Sequence, residues 1–311
     1  MNEVSVGIYI GDSQNAEDTP QLESCGITHV LSVELEKPTV DSKIQHKFVK
    51  MYDQPDKDLL GHLGECFKFI EDGLKEGKVL IHCVMGISRS TSVATAFLMY
   101  RDKITRDKAL DLIKETRPYA RPNDGFMAQL ALFEAMGCQL DTSNQQFKQH
   151  RLEQLSYDMK GSGGKLPVEL LASDPQMSAA TNQQTIYRCR KCRRAVFLDT
   201  SILNHDVGKG QASFRWHKQT VGKPSSPSTG ATGTLTSTCT SIFTEPVAWM
   251  EPLLIGETSG KLLCPKCDAR LGSFNWAGQQ CSCGAWITPA IQIHENRVDK
   301  SVHRMPPQLP R

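Results

Sequence analysis

No stretch of the chain approaches the roughly 18 uninterrupted apolar residues of a membrane span, which argues against a helical membrane protein. Positive charge is missing from MNEVSVGIYIG, whose first charged side chain is Glu3, so a secretory leader is not expected and an intracellular chain is. Cysteine is sparse where a disulfide framework would need it. Only Cys25, Cys66, Cys83 and Cys138 fall in the first 150 residues, and they are scattered. In a reducing compartment such residues signal metal binding or catalysis more often than disulfides. Overall charge is also small, +2, but it divides unevenly: 17 basic and 22 acidic residues through His150, then 19 against 12. The other seven of the eleven cysteines crowd the basic part. With 311 residues the chain can build about two domains, each with its own core.

The first part alternates between two hydrophobic periods. EVSVGIYIG reads as an edge strand, THVLSVE and HKFVKMY as short strands, and KVLIHC as a continuous apolar run suited to a buried parallel strand. Between and after them, DLLGHLGECFKFIEDGLKEG, SRSTSVATAFLMY, ITRDKALDLIKETRP and NDGFMAQLALFEAMG read as helices. This order predicts an α/β sandwich with a mainly parallel sheet flanked by helices.

Ligands in such folds bind beyond the carboxyl ends of the strands, and Cys83 sits at one, in a loop that leads straight into a helix. From Val84 through Met85, Gly86, Ile87 and Ser88 to Arg89, successive N–H groups can turn inward. The following helix adds the positive end of its dipole, and the two together make an anion cradle. Gly86 permits the tight turn. The field that holds a phosphate also favours an ionised sulfur at Cys83. Arg89 can grip two phosphate oxygens with its planar fork. Ser90 is placed to donate a hydrogen bond to the sulfur, which matters when sulfur must leave again.

HCVMGISRS resembles the H-C-x5-R-S signature of the protein tyrosine phosphatase superfamily, in its compact dual-specificity branch. The resemblance implies that Cys83 attacks phosphorus, that Arg89 binds the phosphoryl group, and that an aspartate on a separate loop protonates the leaving oxygen, with no metal needed for catalysis. Asp53 in FVKMYDQPDKDLL is the expected acid. Asp56 and Asp58 compete, although Asp58 better suits the N-cap of the next helix. Asn123, Phe126 and Gln129 resemble the branch's closing helix and are expected to support the loop. Met85 departs from the branch, where alanine is usual two places after the nucleophile. The loop also lacks the lysines of phosphoinositide-directed relatives, so phosphoproteins are the expected substrates, and the short domain favours a shallow site open to phosphoserine and phosphothreonine as well as phosphotyrosine.

Beyond the catalytic domain, expected over 1–140, residues 141–184 read as a polar helix and flexible linker, 185–298 as a small β-rich zinc-binding domain with a low-complexity loop at 221–238, and 299–311 as a tail. The pairs Cys189/Cys192 and Cys264/Cys267 are C-x2-C knuckles, and Cys281/Cys283 a C-x-C. Two tetrahedral sites need eight ligands, so seven cysteines leave room for one histidine. His205 is the expected choice over His217 and His294. The expected pairing puts Cys189, Cys192, Cys264 and Cys267 in one site and His205, Cys239, Cys281 and Cys283 in the other; a single structural zinc ion stays open as the alternative.

This second part, in the order TEPVAWM, CPKC, LGSFNW, CSCG, resembles the zinc-binding domain of one atypical group of dual-specificity phosphatases. The resemblance implies a protein of cytoplasm and nucleus whose zinc domain acts in assembly of the large ribosomal subunit, with rRNA or a ribosomal protein of the pre-60S particle as partner. Arg188, Arg190, Lys191, Arg193 and Arg194 form a run that can face phosphates or an acidic protein, or simply water. Two functional classes follow: a phosphatase targeted by its zinc domain, or an assembly factor in which catalysis is dispensable.

Overall fold

A computed structural model of the chain describes residues 1–141, 143–162, 166–167, 170–177, 184–205, 208 and 239–302. The chain forms two compact units, Met1–Phe147 and Lys148–Arg311. None of the described helices is long and apolar enough to cross a membrane.

In the first unit the strands are β1 (Asn2–Ser5), β2 (Ile8–Gly11), β3 (Ile27–Glu34), β4 (Gln45–Lys50) and β5 (Lys78–His82), in the spatial order β1-β2-β5-β3-β4. All neighbours are parallel except β1 with β2. The stretch expected as one edge strand is therefore a hairpin. Gly7, with φ of +75°, lets the chain reverse between β1 and β2. That places β2, wholly buried, inside the sheet and gives the exposed edge to β1. Two short helices, α1 (Ser13–Glu17) and α2 (Thr19–Cys25), follow the hairpin. Their signals lie in the caps: Asp12 and Asp18 each accept a hydrogen bond from the amide three residues on.

The remaining helices are α3 (Leu60–Glu76), α4 (Arg89–Asp102), α5 (Arg106–Thr116) and α6 (Asp124–Ala135). Helix α4 is buried from Arg89 to Met99 although it is rich in serine and threonine. Burial is tolerable because Ser92 Oγ and Thr95 Oγ1 each donate to the carbonyl one turn back, at 2.8 Å. The core around it is built from Phe67, Phe97, Phe126 and Phe133, with Phe67 and Phe97 edge to face at 5.7 Å. Gln129 on α6 ties the entry to α3: its Oε1 accepts from the amides of Leu59 and Leu60, and its Nε2 donates to Lys57 O.

The second unit begins inside helix α7 (Gln145–Ser162). This is the polar helix expected as part of a linker, but Leu152, Leu155 and Met159 are buried in the second unit's core, together with Phe197, Phe243 and Trp276. Three apolar positions at 3-4 spacing amid charged neighbours are enough to dock a helix. The strands are β6 (Thr185–Cys189), β7 (Ala195–Leu198), β8 (Ile202–Leu203), β9 (Ser241–Thr244), β10 (Ser259–Leu263), β11 (Arg270–Asn275), β12 (Gln279–Gln280), β13 (Trp286–Ile287), β14 (Ala290–His294) and β15 (Val298–Val302), with a short helix α8 (Glu251–Leu254). They make sheets β10-β11-β14-β9-β8, β15-β6-β7 and β12-β13. The domain is thus larger than 185–298, because Val298–Val302 pairs along β6 where a tail was expected. The low-complexity segment 221–238 and His217 lie outside the described residues.

The placement of α7 makes a stability prediction. Leu155→Ala should cost the second unit about 2–5 kcal/mol and leave the first unit's unfolding midpoint unmoved, as separate urea transitions of the full chain would report.

Candidate functional site

Strand β5 runs through the middle of the first sheet and delivers Cys83 to its carboxyl end. From there to α4 the backbone is held from outside, carbonyl by carbonyl. Ser13 N donates to Val84 O at 3.4 Å, Arg117 Nη2 to Met85 O at 3.2 Å, Arg117 Nε to Gly86 O at 2.7 Å, and Arg121 N to Ile87 O at 2.8 Å. In a trans peptide the carbonyl and the next N–H point opposite ways. Tying four consecutive carbonyls outward therefore turns the amides that follow them inward. Among the described residues, no amide from Val84 to Ser88 has a protein acceptor. Gly86 has φ of +63°, and a Cβ there would collide with Arg117 Nη2 and Gly11 O, so the turn requires glycine on both counts.

Cys83 is buried at the centre of this ring, and Ser90 Oγ donates to its sulfur at 3.3 Å. Arg89, the first residue of α4, is also buried. It donates from Nη1 to Met51 O at 3.1 Å, while its Nε has no acceptor among the described residues. An N–H of a permanent cation, buried, unused and beside inward amides, is a place for an anion.

The structure separates the three candidate aspartates. Asp53 Oδ1 accepts from Ser88 Oγ at 2.7 Å and from Asn123 Nδ2 at 2.8 Å, and its Oδ2 lies 4.0 Å from Arg89 Nε. Asp56 pairs instead with Lys57 at 3.0 Å, and Asp58 accepts from Gly61 N at 2.8 Å, in the first turn of α3. Ser88 is bound on both sides, since its Oγ also accepts from Asn123 N at 3.0 Å. Asn123, the N-cap of α6, thus fixes loop and carboxylate together.

Behind Cys83, His82 is fully buried. Its Nε2 meets Ser32 Oγ at 2.5 Å, and Ser32 Oγ meets His46 Nε2 at 2.7 Å. His82 Nδ1 lies 3.3 Å from Glu34 Oε1, yet neither atom has a hydrogen-bond partner. This approach is not an ion pair. Burial, aided by His46, pushes His82 down to about 4, and burial raises Glu34, so both are driven toward their neutral forms.

In the second unit, Cys189, Cys192, Cys264 and Cys267 form one cluster and His205, Cys239, Cys281 and Cys283 another, with ligand atoms inside 4.8 Å of one another. Cys189 and Cys267 sulfurs are 3.8 Å apart and Cys192 and Cys264 sulfurs 3.5 Å. His205 Nε2 is 3.6 Å from Cys239 Sγ and 3.4 Å from Cys283 Sγ, and Cys239 and Cys281 sulfurs are 3.0 Å apart. A tetrahedral ion with metal–sulfur bonds near 2.3 Å would space its sulfurs by roughly 3.8 Å, which both sets can meet with little movement. The Arg194 amide draws Cys192 down to about 7 while burial pushes Cys264 up to about 12. His294 stands on β14, outside both clusters.

Residues 8–136 match the family model described as dual specificity phosphatase, catalytic domain. Over 304 residues the chain is 45% identical to dual specificity protein phosphatase 12 of Mus musculus, with 96% of this chain and 88% of that protein covered. It is 44% identical over 307 residues to the protein of the same name from Homo sapiens, with the same coverage. Identity is 31% over 330 residues to tyrosine-protein phosphatase YVH1 of Saccharomyces cerevisiae, covering 94% and 90%.

The chain belongs to the dual-specificity phosphatases.

Sequence reasoning about this phosphatase missed the residues that hold its loop. Arg117 is 2% exposed, meets no carboxylate among the described residues, and spends its guanidinium on four oxygens: Met85 O, Gly86 O, Ile10 O and Asn2 Oδ1. Its only local signal was an arginine before a proline at the end of α5. The basic run also makes contacts that no local pattern foretold. Arg190 and Arg193 both meet Asp299, Arg194 meets Asp174, and Arg188 donates to Ser301 Oγ. The aspartate that two of them share lies more than 100 residues away, beyond any local pattern.

Two predictions come from this geometry. Arg117→Met should lower the phosphatase's kcat/KM for a small aryl phosphate on the order of 10²-fold by releasing the loop, with Arg117→Lys intermediate; steady-state kinetics decide. His82, neutral in the fold and ordinarily titrating at 6.5, contributes stability that is complete above pH 6.5 and is lost as pH falls toward 4. The loss reaches about 3 kcal/mol. Because Glu34 shifts in the opposite sense, the difference between wild type and His82→Gln in urea midpoints across that pH window isolates the effect.

Proposed function

We propose that the first unit hydrolyses phosphotyrosine and phosphoserine or phosphothreonine in proteins through a phosphocysteine at Cys83. What carries the proposal is the coincidence of inward amides, the unused Arg89 Nε and the Cys83 sulfur at one point. In the first step the sulfur attacks phosphorus. The S–P bond forms, the ester P–O bond breaks, and the Asp53 carboxyl gives its proton to the departing oxygen. In the second, water attacks phosphorus and passes a proton to the Asp53 carboxylate. The S–P bond breaks, the thiolate returns and inorganic phosphate leaves. Amides 84–88 and Arg89 hold the charge that builds on the equatorial oxygens, and Ser90 Oγ, 3.3 Å from the sulfur, eases its departure.

In the second unit we assign a structural zinc ion to each four-ligand cluster, because sulfur-rich tetrahedral donor sets select zinc. The role of that unit is then targeting. A part in large-subunit assembly has one feature in its favour, the excess of 19 basic over 12 acidic residues beyond His150. Around the first knuckle Arg190 and Arg193 share Asp299 and Arg194 pairs with Asp174, so two carboxylates stand against five basic residues and part of the run's charge stays available to an acidic partner.

Cys83→Ser should abolish aryl phosphate hydrolysis. Asp53→Asn should lower kcat about 10²- to 10⁴-fold, and phosphorylated Cys83 should then accumulate in rapid-quench mass spectra. An Asp53→Asn enzyme of undiminished kcat would remove that residue from the mechanism. Cys264→Ser, by contrast, should end association with pre-ribosomal particles on gradients while hydrolysis persists; absence of the wild-type chain from those particles would dismiss the assembly role, and association that survives Cys264→Ser would remove the first metal cluster from it. Chelation of the bound metal at neutral pH should cost the second unit its cooperative unfolding transition and spare hydrolysis, as near-UV circular dichroism and phosphate release show side by side.

A further inference from the structure

Among the described residues of the first unit, the large apolar side chains that stand exposed are Val6, Leu35, Tyr52, Val84, Met85 and Tyr119. The last four belong to segments that border the cradle. Val84 and Met85 are the first residues of the loop after Cys83, and Met85 is 63% exposed. Tyr52 precedes Asp53, whose carboxylate faces Arg89. Tyr119, 55% exposed, lies with its ring centroid 4.6 Å from the guanidinium carbon of Arg117, and that same guanidinium binds Met85 O. One buried cation therefore shapes the cradle and anchors its apolar rim. Tyr52 is steadied similarly, with Lys57 Nζ 5.9 Å above its ring.

Burying such side chains is what a folded chain normally does with them. Four around one opening, two of them braced by cations, form a surface that a bound peptide would cover, continuous with the phosphate cradle. Charge points the same way. The loop has no lysine or arginine between Cys83 and Arg89, Lys57 is spent on Asp56, and acidic residues outnumber basic ones through His150 by 22 to 17. Of the cations at the mouth, Arg121 stands exposed beside the loop, so an acidic flank is the competitor that the test must include.

We infer that this enzyme selects phosphorylated segments whose neighbouring residues are large and apolar, with Tyr52, Met85 and Tyr119 as the residues that read them. The inference deepens the phosphatase reading of the same site and rests on it. The recognised flank lies against the rim while the phosphoryl group occupies the cradle, so the gain is in binding the substrate rather than in the chemical step.

The test uses the full chain with its metals. Three phosphotyrosine peptides of equal length carry leucine, glycine or glutamate on both sides of the phosphoresidue, and p-nitrophenyl phosphate serves as the substrate without flanks. The leucine peptide should exceed the other two by about tenfold in kcat/KM, through KM. Tyr52→Ser with Tyr119→Ser should bring the three peptides within about twofold of one another, the apolar contacts that separate them being worth about that tenfold, each rate being taken relative to the same enzyme's hydrolysis of p-nitrophenyl phosphate. Equal rates on all three peptides in the wild type, a preference for glutamate, or a leucine preference that survives the double substitution would each overturn the inference. Failure of the wild type to hydrolyse p-nitrophenyl phosphate would instead overturn the phosphatase reading beneath it.

Discussion

Four hydrogen bonds to consecutive loop carbonyls set the chemistry of this protein. Two come from the Arg117 guanidinium and one each from the Ser13 and Arg121 amides. Without them the segment after Cys83 would have no reason to turn its amides inward, since nothing inside the ring rewards that conformation until an anion arrives. The cost of pointing several dipoles and Arg89 at one spot is met beforehand by folding. This preorganisation distinguishes a catalytic cradle from a loop that merely can bind phosphate. It also accounts for the burial of Arg117: a guanidinium without a carboxylate partner keeps its positive charge available to the loop it holds.

Much of the first unit serves that arrangement. The β1–β2 hairpin brings Asn2 and Ile10 O to Arg117, so the beginning of the chain helps to fix a loop more than 70 residues later. The buried α4 lets its hydroxyls satisfy one another's backbone while its first residue, Arg89, faces the site. Asn123 joins α6 to both Ser88 and Asp53. In the second unit the logic is different. Its sheets are small, and two clusters of four ligands tie together strands far apart in sequence.

The fold class and the centre of the site were legible because they rest on local signals. KVLIHC is apolar without a break, Gly86 marks a turn, and Arg89 opens a helix, all within a dozen residues. The cysteine spacings foretold two four-ligand sets in the same way, and the structure gathers His205 with Cys239, Cys281 and Cys283. What escaped depends on contacts distant in sequence. Arg117 reads as an ordinary helix-end cation until Met85 and Gly86 are seen beside it. Arg190 and Arg193 read as a basic run open to phosphates, an acidic protein or water, and nothing local shows that β15 brings Asp299 across from β6 to them. The hairpin was read as one strand because its alternation continues through the turn, and helix α7 was read as linker because only three of its positions enter the second unit's core.

The central claim is that an oxyanion sits among the amides of Val84–Ser88 and beside Arg89, directly over Cys83. Alkylation of the full chain by iodoacetamide at neutral pH, mapped by peptide mass spectrometry with and without millimolar arsenate, tests this most directly. The account predicts that arsenate shields Cys83 in the wild type, that Gly86→Ala removes the shielding because its Cβ collides with Arg117 and Gly11, and that labelling of half-buried Cys25 is unchanged throughout. Equal labelling of Cys83 with and without arsenate in the wild type would contradict it.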